Sequence, residues 1–248
     1  MRVALTIEYD GTRYYGSQRQ SNVPTIQGEL EKAITKVTGE GVQTAFAGRT
    51  DQGVHARGQV AVFETDSSLK LENIIKALNY YLPEDISVKE AYKVRNDFDP
   101  RRDALSREYC YFIWNESTRS PLRRRYALLV RRPLDLEIMN EACRALEGTH
   151  DFAPFASALE GRKNTTRTIF KAGTYKNGSM VECRVEANAF LPHQMRMMVG
   201  SLLKVGLRIL DIVIFREILE SRKPAIAGPA VPPHGLFLMK VNYTGDGL

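Results

Sequence analysis

The chain has 248 residues, of which 43% are hydrophobic and 26% are charged, proportions typical of an ordinary globular protein. The net charge of +6 favours a polyanionic partner. The three cysteines are far apart and form no C-x-x-C pair, which argues against a zinc site or a disulfide framework and favours a reducing compartment.

The N-terminus and the hydropathy of the chain argue against export and against membrane insertion. Glu8 introduces an acidic group too early for a signal peptide, and no apolar run reaches 18 residues. We therefore expect a cytoplasmic protein with no membrane partner.

Hydrophobic periodicity predicts six elements in the first hundred residues. Thr25 and Gly39 bound the first helix, and Pro83 stops the second. The order strand, helix, strand, strand, helix, strand is that of the ferredoxin-like split βαβ fold, an antiparallel sheet with helices on one face. The predicted strands are 3–9, 42–47, 59–65 and 86–94, and the predicted helices are 25–38 and 71–82.

A similar order recurs in the second half, which suggests two halves of one architecture. We therefore predict an α+β protein of two ferredoxin-like subdomains, residues 1–104 and 105–248. The second half has predicted strands at 109–114, 168–175, 180–186 and 236–241, helices at 136–146 and 193–209, a short segment at 216–221, and a Pro-rich loop at 224–234.

The segment Gly48–Gly58 connects two predicted strands and holds three glycines, two arginines and one carboxylate, Asp51. It is longer than the roughly two to five residues that a hairpin needs. Glycines let the backbone approach a ligand closely, and Arg49 and Arg57 would keep Asp51 ionised. The pattern indicates a loop built to place Asp51; the alternative is a surface turn with an incidental salt bridge.

Residues 95–132 hold ten arginines and no lysine against five acidic residues, with aromatic residues interleaved. Arginine makes forked contacts with phosphate and stacks on bases, and a base stacked on an aromatic side chain is typically worth about 1–3 kcal/mol. This segment therefore indicates RNA contact. The alternative is a solvated basic linker whose aromatic residues belong to the cores.

Several common chemistries have no support in the sequence. The four histidines form no H-x-x-x-H pair, and His150-Asp151 has no partner histidines at useful spacing, so a catalytic metal is not expected. The nucleotide-binding pattern G-x-x-x-x-G-K-[ST] and the hydrolase pattern G-x-S-x-G are both absent. Asp51 remains, since an ionised carboxylate can act as a covalent nucleophile without cofactor or metal.

Five motifs in order resemble the tRNA pseudouridine synthase A (TruA) family, and the resemblance spans nearly the whole chain. The first is Gly48-Arg49-Thr50-Asp51-Gln52-Gly53-Val54-His55-Ala56. The others are residues 98–101 with 106–111, residues 148–152 with Phe155, residues 190–200, and residues 235–238.

This resemblance implies an enzyme that isomerises uridine to pseudouridine at positions 38, 39 and 40 in the anticodon stem-loop of tRNA. It implies no cofactor and no metal, a homodimer, and two ferredoxin-like subdomains whose sheets join, with a basic cleft between them. The rival function is a non-catalytic RNA-binding module, which explains the basic aromatic segment but leaves Asp51 without a task.

The resemblance also assigns roles to single residues. Asp51 matches the nucleophilic aspartate, Tyr109 matches the tyrosine that stacks on the target uracil, and Arg196 matches an arginine expected to pair with the aspartate. Arg49 is expected to help Arg196 keep the carboxylate charged. Further expected substrate contacts are His55, Arg57, Arg101, Arg102, Arg123 and Phe152, of which Phe152 could instead line the core. Attack at C6, attack at C1′ and removal of a sugar proton all remain open to Asp51.

Overall fold

In the computed structural model, which describes residues 1–157, 159 and 164–244, contacts divide the chain into two units. The first is Met1–Leu105 together with the C-terminal segment from Phe237, and the second is Ser106–Leu236. The predicted division assigned the whole C-terminus to the second half. The segment from Phe237 instead groups with the first unit, because Phe237 and Leu238 pair with His55 and Ala56. As a statement about separately folding domains, the division at 104/105 stays a prediction.

The described residues form ten strands and five helices, and the α+β class is confirmed. The strands are β1 (Arg2–Tyr9), β2 (Ala45–Phe46), β3 (His55–Glu64), β4 (Ile86–Val94), β5 (Ser106–Asn115), β6 (Leu128–Val130), β7 (Gly148–Asp151), β8 (Thr166–Asn177), β9 (Met180–Ala187) and β10 (Leu236–Asn242). The helices are α1 (Ile26–Thr38), α2 (Leu71–Tyr81), α3 (Leu136–Leu146), α4 (Gln194–Gly206) and α5 (Ile212–Glu220).

The sheet of the first unit has β1 at its centre, antiparallel to β4 on one side and to β3 on the other. The far edge of β3 is shared by two strands. The short β2 pairs antiparallel with Ala61 and Val62, whereas β10 pairs parallel with His55 and Ala56. The chain order β1-α1-β2-β3-α2-β4 is the predicted ferredoxin-like order.

The helix boundaries follow from local capping chemistry. The Thr25 hydroxyl accepts the Gly28 N–H at 3.2 Å, and Gly39 ends α1 in the left-handed region at φ 78°. The buried side chains of α1 include Leu30 and Ile34, which lie four residues apart on one face of the helix. The predicted start and end of this helix are confirmed.

Two predicted strands of the first unit have different bounds in the structure. β2 spans two residues rather than 42–47, and β3 begins at His55 rather than at Gln59. The earlier start of β3 depends on pairing with β10, which lies about 180 residues later in the chain. Gly58 permits this approach, since a Cβ there would lie 2.6 Å from the Met239 carbonyl oxygen. The connection that holds Asp51 is therefore shorter than the sequence pattern suggests.

Within the second unit the strands pair antiparallel in the order β5-β9-β8-β7, with β6 parallel to β5. The hairpin between β8 and β9 turns near Gly178, as predicted, with φ 58°. Helix α3 packs on β8 and contacts α4 and α5. The prediction missed the short strands β6 and β7, and the segment predicted at 216–221 is largely the end of α5.

All three cysteines are buried, and none forms a disulfide. Burial raises the pKa of Cys143 to about 12 and raises the pKa of Cys183 well above its ordinary value. The thiols of Cys143 and Cys183 are therefore packing groups rather than thiolates at neutral pH. No helix within the described residues is long and apolar enough to cross a membrane.

Candidate active site

Thr50, the residue before Asp51, has a hydrogen bond at each of its polar groups. The Thr50 N–H donates to the Ser17 hydroxyl oxygen at 2.9 Å, and the Thr50 carbonyl accepts the Ser17 N–H at 3.0 Å. The Thr50 hydroxyl is 2.8 Å from the Tyr9 hydroxyl. Ser17, Thr50 and Tyr9 are all buried. Hydrogen bonds of this kind fix the backbone from which Asp51 projects.

The two ends of the loop are also tied to the first unit. The Gln59 side-chain amide donates to the Gly48 carbonyl at 2.8 Å. At the other end, the Gly53 N–H donates to the Tyr14 carbonyl at 3.3 Å, and the Val54 N–H donates to the Asp51 carbonyl at 3.1 Å. Gly53 has φ 75°, a conformation that favours glycine. The loop is a defined turn with Asp51 half-buried in it.

Two glycines bring the segment after β1 into close contact with this loop. A Cβ on Gly11 would lie 2.0 Å from the Val54 carbonyl oxygen. A Cβ on Gly16, whose φ is 96°, would lie 2.8 Å from the Thr50 carbonyl oxygen. Sequence reasoning missed Ser17, Gly11 and Gly16 as supports of the loop.

His55 lies in the interior of the first unit rather than on an open surface. Its ring is fully buried and stacks on Phe237 at a centroid distance of 4.5 Å. The His55 Nδ1 atom accepts the Gly11 N–H at 3.1 Å and lies 3.1 Å from an Asp10 carboxylate oxygen. This arrangement links the start of β3 to the segment after β1, and a substrate contact of His55 stays a prediction.

The arginines near Asp51 in sequence are exposed. Arg49 lies on the solvent side of the loop, and the Arg57 guanidinium is 5.7 Å from the centre of the Phe237 ring. An exposed guanidinium over an aromatic ring gains about 0.5–1 kcal/mol from the cation–π interaction. Both side chains are accessible to an anionic ligand.

Tyr109 belongs to the second unit, on β5. It is 8% exposed and meets the ring of Phe190 edge-on at 4.9 Å between centroids. It shares a sheet face with the buried Tyr111, two residues along the strand. Tyr111, by contrast, is fully buried.

Arg196 lies in the first turn of α4 and is half-buried. Its Nε–H donates to the Val231 carbonyl at 2.7 Å, and the Val231 N–H donates back to the Arg196 carbonyl at 3.2 Å. Burial raises the pKa of the Tyr111 hydroxyl, and the positive charge of Arg196 partly offsets this rise. The Pro-rich loop at 224–234 is therefore anchored to α4 and orients the Arg196 side chain.

Phe152 is fully buried against His150 and Phe155, with ring centroids 5.9 Å and 6.3 Å away. Phe155 continues this cluster to Phe215. This packing is that of a core residue, the alternative interpretation given for Phe152. A contact of Phe152 with substrate stays a prediction.

The predicted RNA-contact arginines are exposed in both units. Arg101 and Arg102 lie in the first unit, where both backbone N–H groups donate to an Asp99 carboxylate oxygen at 2.8 Å. These hydrogen bonds, that of Arg102 above all, lower the pKa of Asp99. Arg123 lies in the second unit, with its guanidinium 4.7 Å from the centre of the Trp114 ring.

In the described part of the chain, no three histidine, cysteine or acidic side chains are grouped so that they could hold a metal ion.

Comparisons with known proteins cover both units. A family model described as "tRNA pseudouridine synthase" matches residues 5–101 and 142–244, ranges that include Asp51 and Arg196 but not Tyr109. A solved structure entitled "Crystal Structure of a Cbf5-Nop10-Gar1 Complex" matches over 81% of this chain and 54% of the solved chain, at 13% identity. The TM-score of this match is 0.34, which is too low to carry an argument.

Three curated relatives are each named "tRNA pseudouridine synthase A". The one from Syntrophomonas wolfei subsp. wolfei is 40% identical over 245 residues, covering 99% of this chain and 98% of the relative. The one from Methylacidiphilum infernorum is 41% identical, over 98% of this chain and 95% of the relative. The one from Myxococcus xanthus is 42% identical, over 98% and 92%.

Proposed function

Because the chain belongs to the tRNA pseudouridine synthase family, we propose that it isomerises uridine to pseudouridine at positions 38, 39 and 40 in the anticodon stem-loop of tRNA. The observation that carries this proposal is similarity at 40% identity over 99% of the chain. The positions within tRNA come from the resemblance of the five motifs.

The reaction breaks the bond between N1 of uracil and C1′ of the ribose, turns the base, and joins C5 to C1′. The base must first leave the stack, at a cost of a few kcal/mol. Asp51 serves as the catalytic carboxylate, by attack at C6, by attack at C1′, or by removal of a sugar proton. Each route needs an ionised carboxylate held at one place.

The geometry of the first unit supports this role of Asp51. Thr50 is hydrogen-bonded at its N–H, its carbonyl and its hydroxyl, so the backbone next to Asp51 has little freedom. Holding a catalytic group in the right geometry before the reaction can supply several kcal/mol of the barrier reduction. A carboxylate on a mobile surface turn would lack this advantage.

Tyr109, Arg196 and Arg49 are proposed as the further catalytic residues. Tyr109 stacks on the detached uracil, so that the base turns without escaping. Its hydroxyl oxygen takes the C5 proton and gives up its own proton to solvent, while N1 of the uracil gains a proton. The buried position of Tyr109 against Phe190 supports a rigid stacking surface. The hydrogen bond of Arg196 to the Val231 carbonyl supports a fixed guanidinium. Arg49, two residues before Asp51 in the sequence, contributes positive charge that helps keep the carboxylate ionised.

The substrate is held by phosphate contacts of exposed arginines. We assign Arg57, Arg101, Arg102 and Arg123 to this group, since each is exposed and arginine suits phosphate geometry. His55 and Phe152 would act from their buried positions on the shape of the substrate site. The proposed compartment is the cytoplasm.

The tRNA positions are tested with transcripts that carry uridine at only one of positions 38, 39 and 40. Carbodiimide treatment and primer extension report each pseudouridine as a stop. The expected result is a stop at every one of the three positions, and none in a transcript that lacks all three uridines. Stops only at other positions would contradict the assignment to the anticodon stem-loop.

A homodimer is the proposed assembly, as the resemblance implies. Light scattering coupled to gel filtration should report twice the chain mass of 28.0 kDa. A particle of the single-chain mass at micromolar concentration would contradict this proposal.

A further inference from the structure

The segment between Tyr14 and Ser17 holds the catalytic loop on both sides of Asp51. On one side Ser17 exchanges two hydrogen bonds with Thr50, at 2.9 Å and 3.0 Å. On the other side the Tyr14 carbonyl accepts the Gly53 N–H at 3.3 Å. The loop is therefore attached to this one short segment both before and after Asp51.

A second set of contacts reaches Thr50 from the sheet. The Tyr9 hydroxyl, at the end of β1, is 2.8 Å from the Thr50 hydroxyl. Gln59, on β3, donates to the Gly48 carbonyl at 2.8 Å. Burial raises the pKa of Tyr9 to about 12, so its hydroxyl keeps its proton at neutral pH. The loop is thus joined to two strands by a buried chain of polar groups.

The mechanism above uses none of these three side chains on the substrate. Tyr9, Ser17 and Gln59 have 3%, 0% and 0% of their surface exposed. Buried polar groups cost stability unless they are hydrogen-bonded, and a fully satisfied network makes a region rigid. Their hydrogen bonds end on the backbone and the hydroxyl of the loop that carries Asp51.

We propose that Ser17 and Tyr9 are positioning residues for Asp51, which act through three hydrogen bonds to Thr50 and fix the backbone from which the carboxylate projects. We call Tyr9, Ser17 and Thr50 the Thr50 clamp. The inference rests on the proposed function of Asp51. It assigns a catalytic consequence to two residues outside the five motifs that carry the family resemblance.

The expected effect is on the rate of the chemical step rather than on tRNA binding. A displacement of about 1 Å from reactive geometry can cost about 100-fold in rate. Removing one clamp hydrogen bond should slow the single-turnover rate by about 10- to 100-fold. The dissociation constant of tRNA should stay within about twofold, because no clamp residue is accessible to RNA.

The test measures tritium release from tRNA labelled at C5 of uridine, under single-turnover conditions with saturating enzyme. The variants are Ser17→Ala, Tyr9→Phe, Thr50→Val and Thr50→Ser. Ser17→Ala removes the acceptor for the Thr50 N–H, and Thr50→Val removes the hydroxyl that meets Tyr9. Thr50→Ser keeps that hydroxyl and should retain nearly the wild-type rate. If only the volume of the Thr50 side chain mattered, Thr50→Val would instead be the faster of these two variants.

Two further comparisons separate positioning from general destabilisation. Thr174→Val removes another buried hydroxyl, one that has no hydrogen-bond partner within the described residues, and should leave the rate unchanged. Tyr9→Phe and Thr50→Val break the same hydrogen bond, so the double variant should be no slower than either single variant. Filter binding of tRNA and the thermal midpoint are measured for every variant.

The proposal is overturned if Ser17→Ala and Thr50→Val react within twofold of wild type, or if Thr50→Ser is as slow as Thr50→Val. It is also overturned if the clamp variants lose tRNA affinity while keeping the wild-type rate at saturation. Should Ser17→Ala fail to fold, the Thr50→Val and Thr50→Ser pair decides alone. Wild type that releases no tritium contradicts the proposed function, and the positioning role then falls with it.

Discussion

Tyr109 and Tyr111 are two tyrosines on one strand face that differ in how deeply they are buried. Tyr111 is fully buried, and its hydroxyl donates to the Pro232 carbonyl at 2.8 Å, so its polar group is satisfied by the fold. Tyr109 keeps 8% of its surface exposed and rests edge-on against Phe190. Of the two tyrosines, Tyr109 is therefore the less deeply buried.

Replacing Tyr109 with Phe should separate its two proposed roles. The ring remains, so tRNA affinity should stay within about twofold, but the hydroxyl that takes the C5 proton is lost. General acid–base groups typically contribute 100-fold or more, so tritium release should slow by about that factor. Tyr175→Phe, in which an exposed tyrosine on β8 is changed, is the matched control and should react as wild type does. A Tyr109→Phe rate equal to wild type would remove the proton-transfer role.

Close backbone approach is the feature that joins the segment after β1 to the loop that carries Asp51. Gly11 has no space for a side chain, since its Cβ would meet the Val54 carbonyl oxygen at 2.0 Å. Its N–H also donates to His55 Nδ1 at 3.1 Å. At the level of elements, the position of the loop therefore depends on Gly11, as on Gly16, having no side chain.

Gly11→Ala should force the segment and the loop apart. Overpacking of this kind costs about 1–3 kcal/mol, and we expect that loss in the free energy of unfolding by urea, together with slower tritium release. Gly41→Ala is the matched control, since no heavy atom lies within 4 Å of a Cβ there. Equal stability of the two variants would show that the contact between Gly11 and Val54 does not constrain the loop.

The elements that could be predicted from the sequence are those with local signals. Thr25 and Gly39 mark the ends of α1 by capping, and the alternating run at 86–94 matches β4. The start of β3 could not be predicted, because it depends on pairing of His55 with Phe237. Short strands such as β6 have too few residues to show a period.

The same distinction applies to the candidate site. Asp51 could be found because glycines and opposite charges concentrate around it in one stretch of sequence. Ser17 could not be found, because its hydrogen bonds to Thr50 join residues 33 positions apart and produce no pattern in the sequence. The burial of Phe152 and His55 could likewise not be predicted from the sequence, since both residues occur in motifs that suggest ligand contact.

For the whole molecule, positive charge should govern affinity for tRNA. Replacing Arg101, Arg102 and Arg123 with alanine should weaken binding and lower the slope of log K against log salt by up to about 2–3, since each phosphate contact contributes about 0.7–0.9. The control is Arg216→Ala, which removes an exposed arginine paired with Glu141. Unchanged affinity and slope in the triple variant would exclude these residues from the RNA surface.

Stability should fall in mildly acidic solution, because burial lowers the pKa of His234 from its ordinary 6.5. The unfolded chain binds this proton more readily than the folded one, so the contribution of His234 is complete above pH 6.5 and is lost as the pH falls through the folded-state pKa. Asp99 and Asp103 have pKa values below their ordinary 3.8, so their losses come only at lower pH.

Urea unfolding between pH 7.5 and pH 5 measures this effect. The wild-type midpoint should decrease across that interval, and His234→Gln should flatten the decrease because glutamine does not titrate. Identical pH profiles for the two proteins would contradict the assignment to His234.

The central claim is that Asp51 performs the isomerisation, and tritium release from tRNA labelled at C5 of uridine tests it most directly. Wild type and Asp51→Asn are compared on the same tRNA, with tRNA affinity and folding measured for both. We predict release by wild type and none above background by Asp51→Asn, because the amide is nearly isosteric but is not nucleophilic. Release by Asp51→Asn would contradict a nucleophilic Asp51, and no release by either protein, with tight tRNA binding, would favour a non-catalytic RNA-binding module.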